Sequence, residues 1–328
     1  MFLAHLDVVP IEPGTEGLWT QAAFAGTIAD GYVWGRGALD DKGMLVTLME
    51  TAEALVASGF KPKRTIYFGF GADEEVGGIR GARNIADTLV QRSVRLSWVL
   101  DEGSSIIRDP TDPNNKKLIA KIGVGQKGYA TVVLTAAGQG GSSSSPPAKT
   151  AVDMLSNALV SLSNTPFPTT SVDPGARTTL VPTMLQSGIK DNVLPTIATA
   201  TLNARLLPGD TVDKLMEHIR SVVTDCDIKI ALTVGVNPPP LSSTTSTGYL
   251  ALQSALNKFA AAIPVTTGIV NSTTDARHMT PLTNAIYYFM PWILHEDDLA
   301  RIHGANERLS LTQLAFGIRF FTDLISKQ

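Results

Sequence analysis

The chain has 328 residues, 44% of them hydrophobic and 17% charged, enough to bury a large core and to form two domains. A formal net charge of -3 without a long basic run argues against a nucleic-acid or anionic-membrane partner, and no apolar run reaches the length of a membrane span. Cys226 is alone, so neither an internal disulfide nor a Cys-based zinc cage can form, and any transition metal must be held by His and carboxylate.

The first nine residues read as a buried strand that opens at Met1 without a preceding element. The expectation from this is an absent upstream segment. Thr27–Trp34 reads as a short strand turning at Asp30-Gly31, followed by the glycine-rich stretch Trp34–Gly43 (WGRGALDDKG). From Asp41 to about Ser58, Met44, Leu45, Leu48, Met49, Ala52 and Leu55 fall at helical spacing, and Gly59 ends the helix. Arg64–Gly71 is β-branched and aromatic, a buried strand. Arg80–Arg92 reads as a helix and Leu96–Asp101 as a short strand ending in acid. Strands alternating with helices predict an α/β catalytic domain with a mostly parallel central sheet.

The pattern then changes. Lys127–Ala137 alternates like a half-exposed strand, Gln139–Pro147 is a Gly/Ser/Pro loop, and Thr150–Leu162 is an amphipathic helix. Strands follow at Thr183–Ile189 and Thr196–Leu207, then a helix over Val212–Val223 capped by Asp210 or Thr211, then a strand over Ile228–Val234. This β-α-β-β-α-β order predicts a ferredoxin-like α+β layer inserted at 124–236, with residues 1–123 and 237–328 forming the catalytic domain. After Pro238–Pro240 come a helix (Tyr249–Ala262), strands at Val265–Val270 and Asn284–Met290, and a last helix (Ser310–Lys327). Gly123-Val-Gly125-Gln-Lys-Gly128 matches G-x-G-x-x-G, but a strand rather than a helix follows it, so it does not read as a dinucleotide loop.

Acid and imidazole gather at strand ends. In WGRGALDDKG, glycines bring backbone close around Asp40 and Asp41, and we expect Asp40 to lie between two metal ions, with Asp41 capping or supporting the helix. His5 and Asp7, two apart on a strand, share a face, the usual relation of a metal-bound imidazole and the carboxylate that orients it. Asp73-Glu74-Glu75 follows the strand RTIYFGFG, and Asp101-Glu102-Gly103 repeats the design. Consecutive acids at the mouth of a parallel sheet repel unless cations neutralise them. His303 sits in a turn before the last helix, where a ligand fits better than a core histidine. His218 reads as a helix-face residue and His295 as surface. Arg277, after another strand, is a fixed cation suited to clamp a carboxylate.

In order along the chain, HLDVVP (His5–Pro10), GRGALDDKG (Gly35–Gly43), DEEVGG (Asp73–Gly78), LDEG (Leu100–Gly103), DARH (Asp275–His278) and IHGANER (Ile302–Arg308) resemble the two-zinc metallopeptidases and amidohydrolases. These include aminoacylase, succinyl-diaminopimelate desuccinylase and carboxypeptidase S, and the wording is most similar to carboxypeptidase S. The resemblance implies a zinc-peptidase catalytic domain, a lid that also serves dimerisation, two Zn2+ per chain (Co2+ or Mn2+ as substitutes), and hydrolysis of a peptide or N-acyl amide beside a free carboxylate. It assigns His5 and one acid of the Asp101-Glu102 pair, with a lean to Asp101, to one zinc. Glu75 and His303 fall to the other, with Asp40 bridging, Asp7 orienting His5 and Glu74 as general base. Arg277 and Asn192 would hold substrate. Ser142 stands where the family's lid loop carries a histidine that reaches the oxyanion, so a catalytically weak or inactive chain that still binds zinc is the alternative. A small peptide or N-acyl amino acid is the implied partner, with a homodimer through the lid. A vacuolar or secretory address is implied by the resemblance alone; no signal for it is read here.

Overall fold

The structure is a computed structural model that describes residues 1–114, 116–168 and 176–328. The first stretch of chain forms β1 (Phe2–His5), β2 (Thr27–Ala29), β3 (Tyr32–Trp34), α1 (Lys42–Ala57), β4 (Phe68–Gly71), α2 (Ala82–Gln91), β5 (Val99–Asp101), β6 (Ile106–Arg108) and β7 (Leu118–Gln126). The middle forms β8 (Gly128–Ala137), β9 (Gly141–Ser142), α3 (Ala151–Asn164), β10 (Thr179–Ser187), β11 (Val193–Leu194), β12 (Ile197–Leu206), α4 (Val212–Val222) and β13 (Ile228–Val236). The remainder forms α5 (Thr247–Phe259), β14 (Val265–Val270), β15 (Ile286–Tyr288), α6 (Glu296–Arg301), β16 (Arg308–Ser310) and α7 (Leu311–Ser326). These divide into two compact units: Met1–Gly125, Leu241–Val270 and Thr274–Gln328 in one, Gln126–Pro240 with Asn271–Thr273 in the other.

The first unit is built on a sheet in which β4, β1, β5 and β15 run parallel, while β7 pairs antiparallel with β15 and β6 with β7. Burial on both faces explains the near-continuous apolar runs of these strands. Along β1, Phe2 and Ala4 face the core made with Leu48, Leu252 and Phe320 of α1, α5 and α7. Leu3 lies on the other face with Ala86 and Leu89 of α2. Phe2 stacks edge-on against both Trp98 and Phe321, at ring separations of 5.4 and 5.9 Å. The register pairs His5 with Gly71, and β5 ends at Asp101, so the carboxyl ends of three adjacent strands open at one edge of the sheet.

Two strands are shorter than the sequence suggests. β1 stops at His5 rather than running through residue 9, and it pairs only with Phe68–Gly71, so Arg64–Ile66 stay outside the ladder and Tyr67 contributes only its carbonyl, to Phe2 N. Asp7 therefore lies beyond the strand rather than on the same face of it. Sequence reasoning missed β6, β7, β16 and α6. Within β7, Gly123 is required by close approach: a Cβ there would come within 2.7 Å of the Tyr288 Cβ. Its G-x-G-x-x-G run lies in strands on both sides of Lys127.

In the second unit, β10-β12-β8-β13 form an antiparallel sheet, with β8 alternating buried and half-buried residues. Ala130, Val132, Leu134 and Ala136 of β8 meet Leu155 of α3 and Leu215 and Ile219 of α4 in one core. The chain order β8-α3-β10-β12-α4-β13 is that of a split β-α-β, ferredoxin-like layer. Thr150 caps α3 reciprocally with Asp153. Thr211 caps α4 through Lys214 N, while the Asp210 carboxylate takes the Thr178 hydroxyl instead.

Candidate metal centre

Four loops of the first unit converge after β1, β3, β4 and β5. His5 is buried at the end of β1, with Nε2 3.0 Å from Asp40 Oδ1 and 3.5 Å from Glu102 Oε1. His303, in the turn before β16, places Nε2 3.1 Å from Asp40 Oδ2 and 3.3 Å from Glu75 Oε1. Asp40 thus reaches one imidazole with each oxygen. His303 takes a left-handed φ of 62°, and the glycine-rich approach to Asp40 does the same at Gly37 (φ 83°), where a Cβ would meet Val8 at 2.4 Å.

Asp7, although off the strand, still serves both neighbours. Its Oδ1 lies 3.4 Å from His5 Nδ1, and its two oxygens accept the amides of Glu74 (3.1 Å) and Glu75 (3.0 Å). Of the three consecutive acids, Asp73 turns away to accept from Arg80 N and Gly81 N, both at 2.7 Å. The Gly77 carbonyl accepts from Arg277 Nη2 (2.7 Å) and lies 3.0 Å from His278 Nε2, so this pair ties down the end of the acidic loop.

The structure separates two alternatives that the sequence left open. Asp101 is engaged elsewhere through one oxygen: Oδ2 accepts from Thr274 Oγ1 and Ala276 N, both at 2.7 Å. The acid of that pair that reaches the cluster is Glu102, because successive residues at a strand end point to opposite sides. Asp41 occupies the N-cap position of α1 but makes no side-chain cap bond. It is fully buried, and its Oδ2 accepts the His5 amide at 3.3 Å.

The electrostatics are those of a site short of cations. Burial, then the charge of Glu102, pushes Glu74 up to about 9. Burial, then Asp40, pushes Glu102 up to about 8. Burial and Glu102 likewise hold Asp41 well above the carboxylate range. Burial opposes charge on both His5 and Asp40, yet their mutual hydrogen bonding, with Glu102 and His303 adding to it, raises His5 and lowers Asp40. His303 is raised chiefly by its bond to Asp40.

A divalent metal fits these residues. His5, Asp40 and Glu75 offer ligand atoms within 4.8 Å of one another, as do His5, Asp41 and Glu102. Glu75 Oε1 and Asp41 Oδ1 are buried without a hydrogen-bond partner among the described residues, as expected of donors shaped for an ion. Carboxylate and imidazole are suitable zinc donors.

The model of peptidase family M20/M25/M40 matches residues 1–327. The chain belongs to this family. It is 33% identical over 369 residues to the N-fatty-acyl-amino acid synthase/hydrolase PM20D1 of Xenopus tropicalis, covering 99% of this chain and 71% of that one. It is also 33% identical over 368 residues to the probable carboxypeptidase S-like 2 of Dictyostelium discoideum, covering 99% and 70%. Among solved structures it resembles the M20 family metallo-carboxypeptidase Sso-CP2 of Sulfolobus solfataricus, with a TM-score of 0.78, 17% identity, and 99% and 84% of the two chains covered. Human carnosine dipeptidase 1 aligns with a TM-score of 0.69 at 16% identity, covering 100% and 79%. The chain is a hydrolase of the M20 family, with the mixed α/β fold that family shares.

Ser142 and Asn192 lie in the second unit, brought together by a two-stranded ribbon in which β9 and β11 pair Ser142 with Val193, and Ser143 N donates to Asn192 O at 3.2 Å. Sequence reasoning quoted Glu307 within IHGANER without giving it a role. It is fully buried and bonds the Asp40 loop.

Proposed function

We propose that this chain is a two-zinc hydrolase that cleaves a peptide or N-acyl amide bond next to a free carboxylate. The observation that carries the reading is Asp40, whose two oxygens reach His5 and His303 separately, with Glu102 beside the first and Glu75 beside the second. His5 and Glu102 would hold one ion, Glu75 and His303 the other, and Asp40 would bridge. Two such ions supply Lewis-acid polarisation of the scissile carbonyl and of the attacking water.

The protein's own part is positioning and proton transfer. Glu74 takes a proton from water as the water oxygen attacks the carbonyl carbon, and returns it to the departing nitrogen when the C–N bond breaks. Asp7 fixes the Glu74 and Glu75 amides with its carboxylate and meets His5 Nδ1 at 3.1 Å with its backbone carbonyl, so it orients base and ligands together. Arg277 has N–H groups beyond the one spent on Gly77, and these receive the substrate carboxylate. Asn192 assists in holding substrate. The relatives named as carboxypeptidases and as an N-fatty-acyl-amino acid hydrolase make dipeptides and N-acyl amino acids the substrates to try.

Ser142, a hydroxyl where the resemblance calls for an oxyanion-donating histidine, favours slow turnover in a chain that still holds zinc. The discriminating experiment is a substrate panel with the zinc-loaded chain: Gly-Leu-type dipeptides, N-acyl amino acids, and the same compounds with their carboxylate amidated. The account expects cleavage only where the carboxylate is free, and cleavage of the amidated set at equal rate overturns it.

A further inference from the structure

Glu307 takes no part in the proton transfer above, yet its environment is unusually complete. Its side chain is fully buried, and its carboxylate accepts four hydrogen bonds. Oε2 takes Arg36 Nη1 at 2.6 Å and Gly37 N at 2.9 Å, and Oε1 takes Leu39 N at 2.9 Å and Asp40 N at 3.0 Å. Three backbone amides of one loop turned onto a single charged carboxylate make an anion-binding concavity, closed by a guanidinium.

The register of the small β2-β3-β16 sheet explains how an acid so distant in sequence arrives there. β16 pairs Arg308 with Trp34, so the preceding residue, Glu307, falls opposite Gly35, whose amide donates to the Glu307 carbonyl at 2.9 Å. The loop from Gly35 to Asp40 then wraps around the side chain. Arg36, buried with Glu307, turns its Nη2 to the His303 carbonyl at 2.9 Å. Asn306, at φ 62°, ties the same turn to Thr20 N (2.7 Å) and Leu18 O (2.9 Å). One buried ion pair therefore grips Asp40 by its amide and His303 by its carbonyl. Those two residues come from opposite ends of the chain and meet at 3.1 Å.

We propose that Glu307 is a positioning residue of the metal centre: with Arg36 it sets the spacing between Asp40 and His303, and with it the affinity for the ion that His303 holds. This rests on the two-zinc reading. Glu307→Gln is isosteric but turns one acceptor oxygen into an NH2 group facing N–H donors. Arg36→Lys keeps a cation and all three amide bonds to Glu307 but cannot span to the His303 carbonyl in the same way.

The test measures zinc affinity of the folded chain by chelator competition and the visible spectrum of the Co2+-loaded chain, for the wild type and both variants. Glu307→Gln is expected to weaken zinc binding by about 10- to 100-fold, the usual cost of losing a group that orients ligands, and to shift the cobalt bands. Arg36→Lys is expected to weaken one ion of the two and leave the other as in the wild type. A staple that only supports the fold would lower the melting temperature of the metal-free chain and leave affinities and spectrum unchanged; that result overturns the proposal. If Glu307→Gln does not fold, Arg36→Lys decides by the same readouts. A wild type that binds two ions but hydrolyses nothing removes the proposed function and leaves this inference standing. A wild type that binds none removes both.

Discussion

Asp7→Asn is the most informative single change in the acidic loop. Asp7 is 20% exposed and spends both oxygens on backbone, accepting Glu74 N at 3.1 Å and Glu75 N at 3.0 Å while facing His5 Nδ1 at 3.4 Å. An asparagine keeps one acceptor and presents its NH2 to the other amide, so one charge-assisted bond is lost and two donors face each other. Hydrogen bonds to charged groups are worth about 1.5–3 kcal/mol. At about 1.4 kcal/mol per factor of ten, that is roughly a 10- to 100-fold effect. Because the lost bond orients the proposed base and not the substrate, the effect is expected in kcat, with KM little changed and two zinc ions still present at saturating metal. Steady-state kinetics with metal counted on the same sample is the assay. A kcat within about threefold of wild type would refute the positioning role given to Asp7.

Three further outcomes follow from the same geometry. Glu102→Gln should lose tightly held metal, whereas Asp101→Asn, which disturbs the bonds from Thr274 and Ala276, should lower the melting temperature and keep the metal; inductively coupled plasma measurement with thermal melts separates them. Zinc binding should release protons. In the metal-free chain His5 and His303 are raised and so carry protons, and Glu102, pushed up to about 8, carries one below that pH. Each proton must leave before the group can ligate, so affinity should fall as pH drops below about 8. Calorimetry in buffers of different ionisation enthalpy reads the protons directly, and no release at pH 6.5 would contradict the protonated apo state. Ser142→His should raise kcat toward the roughly 10²- to 10³-fold value of an oxyanion donor; an unchanged kcat would show that the serine is not what limits turnover.

Much of the fold was legible because long periodic segments announce themselves. α1, α3, α4, α5 and α7 carry apolar residues at helical spacing, and Thr150 and Thr211 mark two starts. β8 and β12 alternate cleanly because one face is buried and the other is half-covered. Some misses are elements whose existence depends on a distant partner. β16 is three residues long and forms only because β3 is there to pair with it, and β4 is cut back to the four residues that β1 can match.

In the site, residue types and order identified His5, Asp40, Glu75 and His303 as residues that meet. The choice between Asp101 and Glu102 was not legible, since it turns on which side of β5 each carboxylate leaves and on Thr274 and Ala276, more than 170 residues away, claiming the first. Of the two roles read for Asp41, capping or supporting the helix, the cap bond is absent for a related reason. An acid before a helix reads as a cap, but here the position is fully buried and its carboxylate faces the His5 amide. Glu307 shows the same limit: four donors from a loop 267 to 271 residues earlier leave no local trace in the sequence.

The central claim is that Glu74 moves the proton at a centre holding two zinc ions. The direct test is zinc content and hydrolysis of a Gly-Leu-type dipeptide and an N-acyl amino acid, measured side by side on the wild type and Glu74→Gln. The account predicts two zinc ions in both proteins and hydrolysis abolished in the variant. A Glu74→Gln chain that cleaves either substrate as well as the wild type does would contradict it.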